Sequence, residues 1–343
     1  MQFNINKLDN YQYINTIDAH TEGEPLRIIT QGFPTIKGNT ILEKRQYLIK
    51  NLDHYRQLLM FEPRGHADMY GALITEPCTK DAQFGILFMH NEGYSSMCGH
   101  GIIATISVAI ETGALSMPSA NKAIGIDSPA GLISAYAKYD DDKNIIVSFD
   151  NVPAFIEVLD QSVIVQGLGK VDYDIAYGGA YYAFVDADKL GIECSPTNNQ
   201  TLIKAGWDIK KAIMENYVLQ HPVEQDLSFL YGTIFYSKKT TLPHSHSRHV
   251  CVFANGEVDR SPTGTGVSAR AAILAKKEEL ALHEDIVIES IVDGKMTVNI
   301  QQFCEYYGKK AIIPRVSGRA FITGYHKFLL NHKDIFPHGF ILR

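Results

Sequence analysis

The stretch Cys98-Gly99-His100-Gly101-Ile102-Ile103-Ala104 occurs a second time, in altered form, as Thr263-Gly264-Thr265-Gly266-Val267-Ser268-Ala269. Both stretches fit the pattern x-Gly-x-Gly-x-x-Ala. Each opens a segment with helical periodicity, over residues 98–111 and 263–280. A motif that recurs at the start of two similar elements is typical of an internal repeat. The sequence therefore predicts two related halves.

The surroundings of the two motifs repeat as well. His20-Thr21-Glu22-Gly23 precedes the first motif by about the distance at which Gly178-Gly179-Ala180-Tyr181 precedes the second. A pair of strands is predicted after each helix, over residues 128–150 and 289–315. One set of elements that appears twice predicts an α/β (α+β) protein with two pseudo-symmetric domains.

We place the domain boundary near residue 160. The N-terminal domain, carrying Cys98, then comprises residues 1–160 together with the C-terminal stretch 326–343, which has no counterpart after the first unit. The C-terminal domain, carrying Thr263, comprises residues 161–325. Two further helices are predicted over 41–60 and 201–215. Short runs rich in β-branched and aromatic residues predict strands over 26–29, 85–89, 145–149, 181–185, 286–291 and 296–300.

Composition limits the function classes. The 343 residues include 32 Lys and Arg against 38 Asp and Glu, so the formal net charge is −6, and 45% of residues are apolar. A mildly acidic chain argues against a nucleic-acid partner. Five widely spaced cysteines without a Cys-x-x-Cys pair favour a reducing compartment over a disulfide framework. Neither a signal peptide nor an apolar run of membrane-spanning length is evident, so we predict a cytoplasmic protein without a membrane partner.

Glycines at a helix start suggest anion binding. The first backbone N–H groups of a helix lack internal partners and carry the positive end of its dipole. Glycines allow a carboxylate or phosphate to come close to those donors, and two facing helix starts can hold one small anion between them. Two other interpretations remain open: a dinucleotide fingerprint, which would have to follow directly on a strand, and a pair of tightly packed helix starts.

The two residues that precede the glycines differ. Thr263 is an ordinary N-cap residue. Cys98 is not, and a cysteine at that position is expected to have a lowered pKa because the helix dipole favours the thiolate. A buried cysteine can also be inert packing. A thiolate beside a carboxylate site can act as a nucleophile or as a base.

Four segments carry a resemblance to a known family. The segment Met97-Cys98-Gly99-His100-Gly101 resembles the first catalytic motif of the proline racemase superfamily, and the segment from Asp259 to Gly266 resembles the second. The segment from Asp18 to Pro25 is similar to the N-terminal signature of the family, and that from Gly178 to Ala183 to another strand motif. The matches run in order along nearly the whole chain.

The resemblance implies a fold and a site. The fold would be two similar domains, each a β-barrel-like sheet around a central helix, as in proline racemase and diaminopimelate epimerase. The substrate would bind between the domains, where the two helix starts meet. Backbone N–H groups around Gly99, His100, Gly264 and Thr265 would hold its carboxylate, and Asp259 and His100 would approach its ring nitrogen. A homodimer is compatible with the resemblance.

One departure from the family pattern bears on the reaction. Racemases and epimerases of the family carry a second cysteine where this chain has Thr263, because inversion needs an acid–base group on each face of the α-carbon. The Cys98/Thr263 pair instead resembles that of trans-3-hydroxy-L-proline dehydratases, which form Δ1-pyrroline-2-carboxylate. Thr263 would act as a general acid, a substrate orienter or a helix cap. Neither a metal nor an organic cofactor is needed.

Other functions stay open at this stage. One is proline racemase or 4-hydroxyproline epimerase activity, with Thr263 working through water. Another is a non-catalytic protein that binds a cyclic imino acid. The cluster His244, His246 and His249 is predicted to be a polar loop rather than a metal site, which would require further ligands on a fixed scaffold. Four further cysteines are expected to be plain thiols: Cys78, Cys194, Cys251 and Cys304.

Overall fold

A computed structural model describes residues 1–8, 11–119 and 122–342. The helices are α1 Ile41–Tyr47, α2 Asp53–Met60, α3 Gly99–Glu111, α4 Ala187–Leu190, α5 Asn199–Asn216 and α6 Gly264–Lys276. The strands are β1 Gln12–Thr21, β2 Glu24–Gln31, β3 Tyr70–Thr75, β4 Phe84–His90, β5 Ile124–Ser128, β6 Gly131–Tyr139, β7 Ile145–Asp150, β8 Ala154–Val165, β9 Gly169–Tyr177, β10 Tyr181–Asp186, β11 Leu230–Ser237, β12 Ser247–Phe253, β13 Glu257–Val258, β14 Ile286–Glu289, β15 Lys295–Tyr306 and β16 Lys309–Leu330.

The strands close into two rings that share β16. In the first ring β1 to β7 follow one another in space, and β16 closes the ring by pairing with both β7 and β1. In the second ring the order is β8, β9, β10, β11, β12, β14 and β15, and β16 again closes it by pairing with β15 and β8. Each ring therefore contains eight strands. Closure removes the exposed sheet edges.

The two rings have the same pairing pattern. In the first, β1 and β2 are antiparallel, whereas β2 with β3 and β4 with β5 are parallel. In the second, β9 and β10 are antiparallel, whereas β10 with β11 and β12 with β14 are parallel. Helix α3 follows β4, and α6 follows the β12–β13 hairpin, at equivalent points. The predicted fold, two pseudo-symmetric barrel-like sheets around central helices, is confirmed.

Each central helix is surrounded by its own ring. Helix α3 packs against β16, β1 and β7, and α6 packs against β8, β16 and β9. Residues 99–108 of α3 and 264–274 of α6 are buried on every side. A helix that is enclosed all round needs small or apolar residues on every face, which explains runs such as Ile102-Ile103-Ala104 and Ala271-Ala272-Ile273.

The predicted strands and helices are found, with different ends for some helices. The segment 41–60 is not one helix, since a π-helical turn, Leu48–Leu52, separates α1 from α2. Helix α6 ends at Lys276 rather than at residue 280. Glu278 takes a φ of 58°, and a residue in the left-handed region ends a helix.

Strand β16 links the two halves. Its residues 309–317 pair with β15, and its residues 320–330 pair with β1. After β16, the Phe340 N–H donates to the carbonyl of Glu62, next to α2. Residue 160 lies inside β8. The division into 1–160 with 326–343 and 161–325 stays a prediction. Within the described residues, no helix is both long and apolar enough to span a membrane.

Candidate active site

The two central helices meet at their first residues. A Cβ atom added to Gly99 would lie 2.7 Å from the Gly264 Cα, and one added to Gly264 would lie 2.8 Å from the Gly99 Cα. Such distances are shorter than real Cβ contacts, so only glycine allows this approach. The unpaired N–H groups of both helix starts therefore lie next to one another.

The second glycine of each motif seats its helix against the barrel wall. A Cβ at Gly101 would lie 2.4 Å from Phe88, and a Cβ at Gly266 would lie 2.2 Å from Ile234. We expected the glycines to make room for a ligand. In the structure, the space beside these glycines is occupied by other residues of the protein. The close contact between the two helix starts determines the position of their unpaired N–H groups.

Cys98 caps helix α3 with its thiol. Its backbone is extended, with a φ of −146°, and Sγ accepts a hydrogen bond from the Gly101 N–H at 3.2 Å. The Nδ1 atom of His100 lies 3.3 Å from the same sulfur. Both side chains are buried. A thiol and an imidazole in contact form the kind of pair in which a base activates a sulfur nucleophile.

The expected lowering of the Cys98 pKa is wrong for this closed site. Burial raises the pKa of the thiol well above its usual value, and the charge of Asp259 raises it further, while the Gly101 N–H lowers it. The helix start does favour the thiolate, as the sequence suggested, but desolvation is the larger effect. Cys98 is thus a neutral thiol in this buried site.

Thr263 occupies the equivalent position before α6 but does not cap the helix. Its φ is 70°, and its side chain makes no capping hydrogen bond. Positive φ is rare for a β-branched residue and is strained. Among the described residues, its buried hydroxyl has no hydrogen-bond partner, while its N–H donates to Ser261 Oγ at 3.1 Å. The expectation that Thr263 is an ordinary N-cap is wrong, because at a φ of 70° its side chain makes no hydrogen bond to the first turn of α6.

A small cavity of about 20 Å³ lies where the helix starts meet. This is roughly the space of one water molecule, whereas clefts of about 570 and 760 Å³ lie on the outside of the first barrel. The cavity brings together every residue singled out from the sequence: Cys98, Gly99, His100, Asp259, Thr263, Gly264 and Thr265. Its other lining residues are Tyr70, Met97, Tyr182, Tyr231, Cys251 and Phe253.

The lining residues that the sequence analysis missed are mostly aromatic. The Tyr70 hydroxyl hydrogen-bonds Ser95 and lies 3.3 Å from the Tyr231 hydroxyl. The Tyr182 hydroxyl lies 2.7 Å from Thr265 Oγ1. Burial raises the pKa of all three tyrosines, so they are neutral. They provide hydroxyl groups on an otherwise apolar wall.

The internal repeat could have identified two of these residues, because they occupy equivalent strands of the two rings. Tyr70 begins β3 and Tyr231 is the second residue of β11, the equivalent strand of the other ring. Extending the repeat from the helices to the strands would have paired them. Cys251, on β12, was taken as a plain thiol, yet it lines the cavity. Nothing in its local sequence marks it.

Acidic groups lie beside the second helix start. Glu24 is fully buried and its Oε2 accepts the Arg260 N–H at 2.6 Å, while Oε1 has no hydrogen-bond partner among the described residues. Burial, and then the charge of Asp259, raise the pKa of Glu24 well above its usual value. Glu24 therefore keeps its proton where an exposed glutamate loses it. Asp259 is buried too, and its Oδ1 accepts the Ser261 N–H at 2.8 Å.

His100 is held by the N-terminal motif. Its carbonyl accepts a hydrogen bond from Thr21 Oγ1 at 2.8 Å. Burial lowers the pKa of the imidazole, against the opposing effect of Asp259. A neutral imidazole 3.3 Å from the Cys98 sulfur can accept the thiol proton. The segment 18–25 thus contributes structure on both sides of the cavity, through Thr21 and Glu24.

The histidine cluster lies away from this cavity. His249 is fully buried, His246 is half-buried beside Lys238, and His244 is exposed. In the described ranges, no group of three or more His, Cys, Asp or Glu side chains is arranged to hold a metal ion. The five cysteines are all free thiols.

Comparisons with known proteins cover nearly the whole chain. A family model described as proline racemase matches residues 16–341. A trans-3-hydroxy-L-proline dehydratase of Colwellia psychrerythraea is 47% identical, over 98% of this chain and 94% of the relative. The human protein of the same name is 42% identical, over 96% and 95%. A solved structure of a hydroxyproline epimerase from Agrobacterium vitis, with bound trans-4-hydroxy-L-proline, matches with a TM-score of 0.89 at 28% identity, over 96% of this chain and 95% of that one.

Proposed function

The chain belongs to the proline racemase family, and on that premise we propose that it is a hydro-lyase that dehydrates trans-3-hydroxy-L-proline to Δ1-pyrroline-2-carboxylate. The observation that carries the proposal is the pairing of one thiol, Cys98, with one hydroxyl, Thr263, at the two facing helix starts. Relatives at 41–47% identity named for this dehydratase support it.

The substrate carboxylate binds between the helix starts. Backbone N–H groups at Gly99, His100, Gly264 and Thr265 converge there. As the α-proton leaves, negative charge develops on the carboxylate, which gains enolate character. Fixed donors aimed at that charge are worth more in a buried, water-poor site than in water. They therefore stabilise the transition state more than the bound substrate.

The substrate itself promotes formation of the Cys98 thiolate. Its ring nitrogen enters as a cationic ammonium group and binds beside Asp259 and His100. The positive charge offsets the Asp259 charge that raises the Cys98 pKa. The thiol proton passes to the neutral His100, whose Nδ1 lies 3.3 Å away. The reactive thiolate then exists only when a substrate occupies the site.

Elimination needs an acid–base group on one face only. In the trans substrate the α-hydrogen and the 3-hydroxyl lie on the same face of the ring. The Cys98 thiolate removes the α-proton, and the resulting electron pair forms the C2–C3 double bond as the C3–O bond breaks. The same proton, returned by the thiol, leaves with the hydroxyl as water. The enamine product then tautomerises to Δ1-pyrroline-2-carboxylate.

Thr263 orients the substrate from the opposite face. An unactivated hydroxyl is a far weaker acid than a thiol, so it does not exchange a proton with the α-carbon. Its hydroxyl makes no helix cap, which leaves it free to donate to the substrate. Of the three roles left open by the sequence, we therefore propose the orienting one.

The proposal also covers the location, the oligomeric state, the domain division and the cofactor requirement of the protein. We propose a cytoplasmic homodimer, divided into domains 1–160 with 326–343 and 161–325, that acts without a metal or an organic cofactor. The five free thiols fit a reducing compartment. Every step above is carried by side chains and backbone groups of this chain.

The test is product analysis by NMR in deuterated water. Purified protein is incubated separately with trans-3-hydroxy-L-proline, trans-4-hydroxy-L-proline and L-proline, with Cys98→Ser as the control. We expect only the first compound to lose its hydroxyl and to give the pyrroline, and we expect the variant to be inactive. Inversion of either of the other two without elimination would instead support the second candidate, an epimerase or racemase, which the hydroxyproline epimerase structure favours.

A further inference from the structure

A buried arginine in the second barrel has unfilled hydrogen-bonding capacity. Arg270 lies on α6, seven residues after Thr263, and is only 4% exposed. Among the described residues, its Nε and Nη1 atoms are buried and have no hydrogen-bond partner. The equivalent residue of α3, seven positions after Cys98, is the uncharged Thr105. The central helix of the second barrel therefore carries a buried cation at the position where that of the first barrel carries Thr105.

A buried guanidinium normally has an anionic partner, because taking an unpaired charge out of water is costly. The guanidinium carbon lies 3.8 Å from the centre of the Tyr236 ring. That cation–π contact compensates one face of the group. It does not satisfy the N–H donors at the edge of the guanidinium plane, which are the donors that bind oxyanions.

The groups around Arg270 are donors and cations. His249 is fully buried, and its Nδ1 has no hydrogen-bond partner among the described residues. Burial lowers the pKa of His249 well below its usual value, and Arg270, His246 and Lys238, in that order, lower it further. A chain of polar contacts runs from the surface inward. Lys238 Nζ lies 3.2 Å from His246 Nε2, His246 Nδ1 lies 3.1 Å from Ser247 Oγ, and Ser247 Oγ lies 3.3 Å from His249 Nε2.

The nearby carboxylates do not neutralise this cluster. Asp188 accepts hydrogen bonds from Ser237 and from the Lys238 backbone N–H, and Glu289 pairs with Arg248 at 2.8 Å. The exposed residues Glu279 and Glu284 act on His246 less strongly than Lys238 and Arg270 do. The cluster therefore keeps an excess of positive charge.

We propose that Arg270, His249, His246 and Lys238 form a binding site for a small inorganic anion such as phosphate or a halide. The anion enters from the surface at Lys238 and binds the edge of the Arg270 guanidinium. The site lies on the loop between β11 and β12, on β12 and on the body of α6, and shares no residue with the cavity at the helix starts. It is independent of the proposed dehydratase function.

Phosphate binding to the full-length protein tests the proposal. Titration calorimetry and thermal denaturation are done at constant ionic strength with gluconate as the replacing anion. We expect a saturable rise of the melting temperature with phosphate. Arg270→Leu should weaken binding by at least about tenfold, as for loss of a charged hydrogen bond. Lys238→Met should weaken it about two- to fivefold, as for an exposed charge. Lys239→Met, a neighbouring exposed lysine paired with Asp188, should leave it unchanged.

Comparison of the wild type with the variants, and bromide binding in crystals, distinguish a specific anion site from a general effect of phosphate. Phosphate also stabilises proteins by exclusion from their surface, but that effect does not saturate and does not depend on Arg270. Equal responses of the wild type and of Arg270→Leu, or no saturable response, would overturn the proposal. If Arg270→Leu does not fold, Lys238→Met and His249→Gln decide in the same way. In crystals grown with bromide, an anomalous peak is expected beside the guanidinium, separate from any peak at the two helix starts, and its absence there would overturn the proposal.

Discussion

Cys98 and Thr263 occupy equivalent positions, each one residue before a central helix, but their backbones differ. Cys98 is extended, with a φ of −146°, and its sulfur caps the helix. Thr263 has a φ of 70°, and its side chain caps nothing. The duplicated fold therefore supplies the same helix start twice, while the single residue before it determines what chemistry each start presents.

The charges around the two helix starts differ as well. On the first side a neutral imidazole, His100, lies beside the sulfur. On the second side lie two carboxyl groups, Asp259 and Glu24, and the second of these keeps its proton. In the proposed mechanism, one half of the site accepts a proton and the other binds a cation. A pseudo-symmetric fold is used here for an asymmetric reaction.

The largest expected effect comes from removing the thiol on the first side. Cys98→Ser should lower the turnover of trans-3-hydroxy-L-proline by roughly 10²- to 10⁴-fold, the usual range for loss of a general base. Cys194→Ser is the matched control, since it removes another buried thiol that is not among the residues lining the cavity. Steady-state rates measure both. A control variant as inactive as Cys98→Ser would show that the assignment of Cys98 as the base is unsafe.

Making the two sides alike should change the reaction. In Thr263→Cys, thiols face the α-carbon from both sides, and exchange of the α-proton with solvent deuterium should appear for L-proline or trans-4-hydroxy-L-proline. The expected gain is at least about tenfold over the wild type, since a thiol is a much better acid than an alcohol. NMR of the recovered substrate measures exchange and inversion. Thr263→Ser, which keeps a hydroxyl, should show no gain, and equal exchange in both variants would contradict the proposed geometry.

The sequence predicted the frame of the site better than its electrostatics. The repeated Gly-x-Gly motif predicted two related halves, and the resemblance to the proline racemase superfamily implied the barrels and the meeting of the helix starts that carry Cys98 and Thr263. The pKa of Cys98 was predicted with the wrong sign. The helix dipole can be inferred from the cap position, but desolvation and the approach of the Asp259 charge depend on how distant segments fold together.

The backbone of Thr263 was also beyond sequence reasoning. Local preference puts a β-branched residue at negative φ, and only the tertiary contacts of α6 and its preceding loop enforce the value of 70°. The tyrosine wall was missed for a different reason. Tyr70 and Tyr231 lie on strands far from the glycine motifs, and the repeat was not extended to them.

The protonated glutamate on the second side should make stability depend on pH. The pKa of Glu24 is raised in the folded protein above its ordinary value of 4.5, so in the pH range between the two values the native state binds more protons than the unfolded state. Stability should therefore fall as the pH rises through that range. Glu24→Gln removes this titration, and its stability relative to the wild type should grow with pH, with a slope approaching about 1.4 kcal/mol per pH unit.

Denaturant unfolding from about pH 5 to about pH 8 measures this difference. Glu215→Gln, an exposed change on α5, should run parallel to the wild type. A constant offset between Glu24→Gln and the wild type across the range would mean that Glu24 is ionised throughout in the folded protein. The charge arrangement proposed for the second side would then need revision.

The smallest expected effect is on stability, and it tests the difference in backbone conformation between Thr263 and Cys98. At Thr263 the left-handed φ disfavours any residue with a Cβ by about 1–2 kcal/mol, while glycine costs about 0.5–1 kcal/mol in lost chain entropy. Thr263→Gly should therefore be more stable than Thr263→Ala, by up to about 1 kcal/mol. At Cys98 the extended backbone carries no such strain, so Cys98→Ala should be more stable than Cys98→Gly by about 0.5–1 kcal/mol. Chemical denaturation of the four variants measures the two differences. The same sign at both positions would mean that Thr263 relaxes to negative φ, and that the two helix starts differ in side chain only.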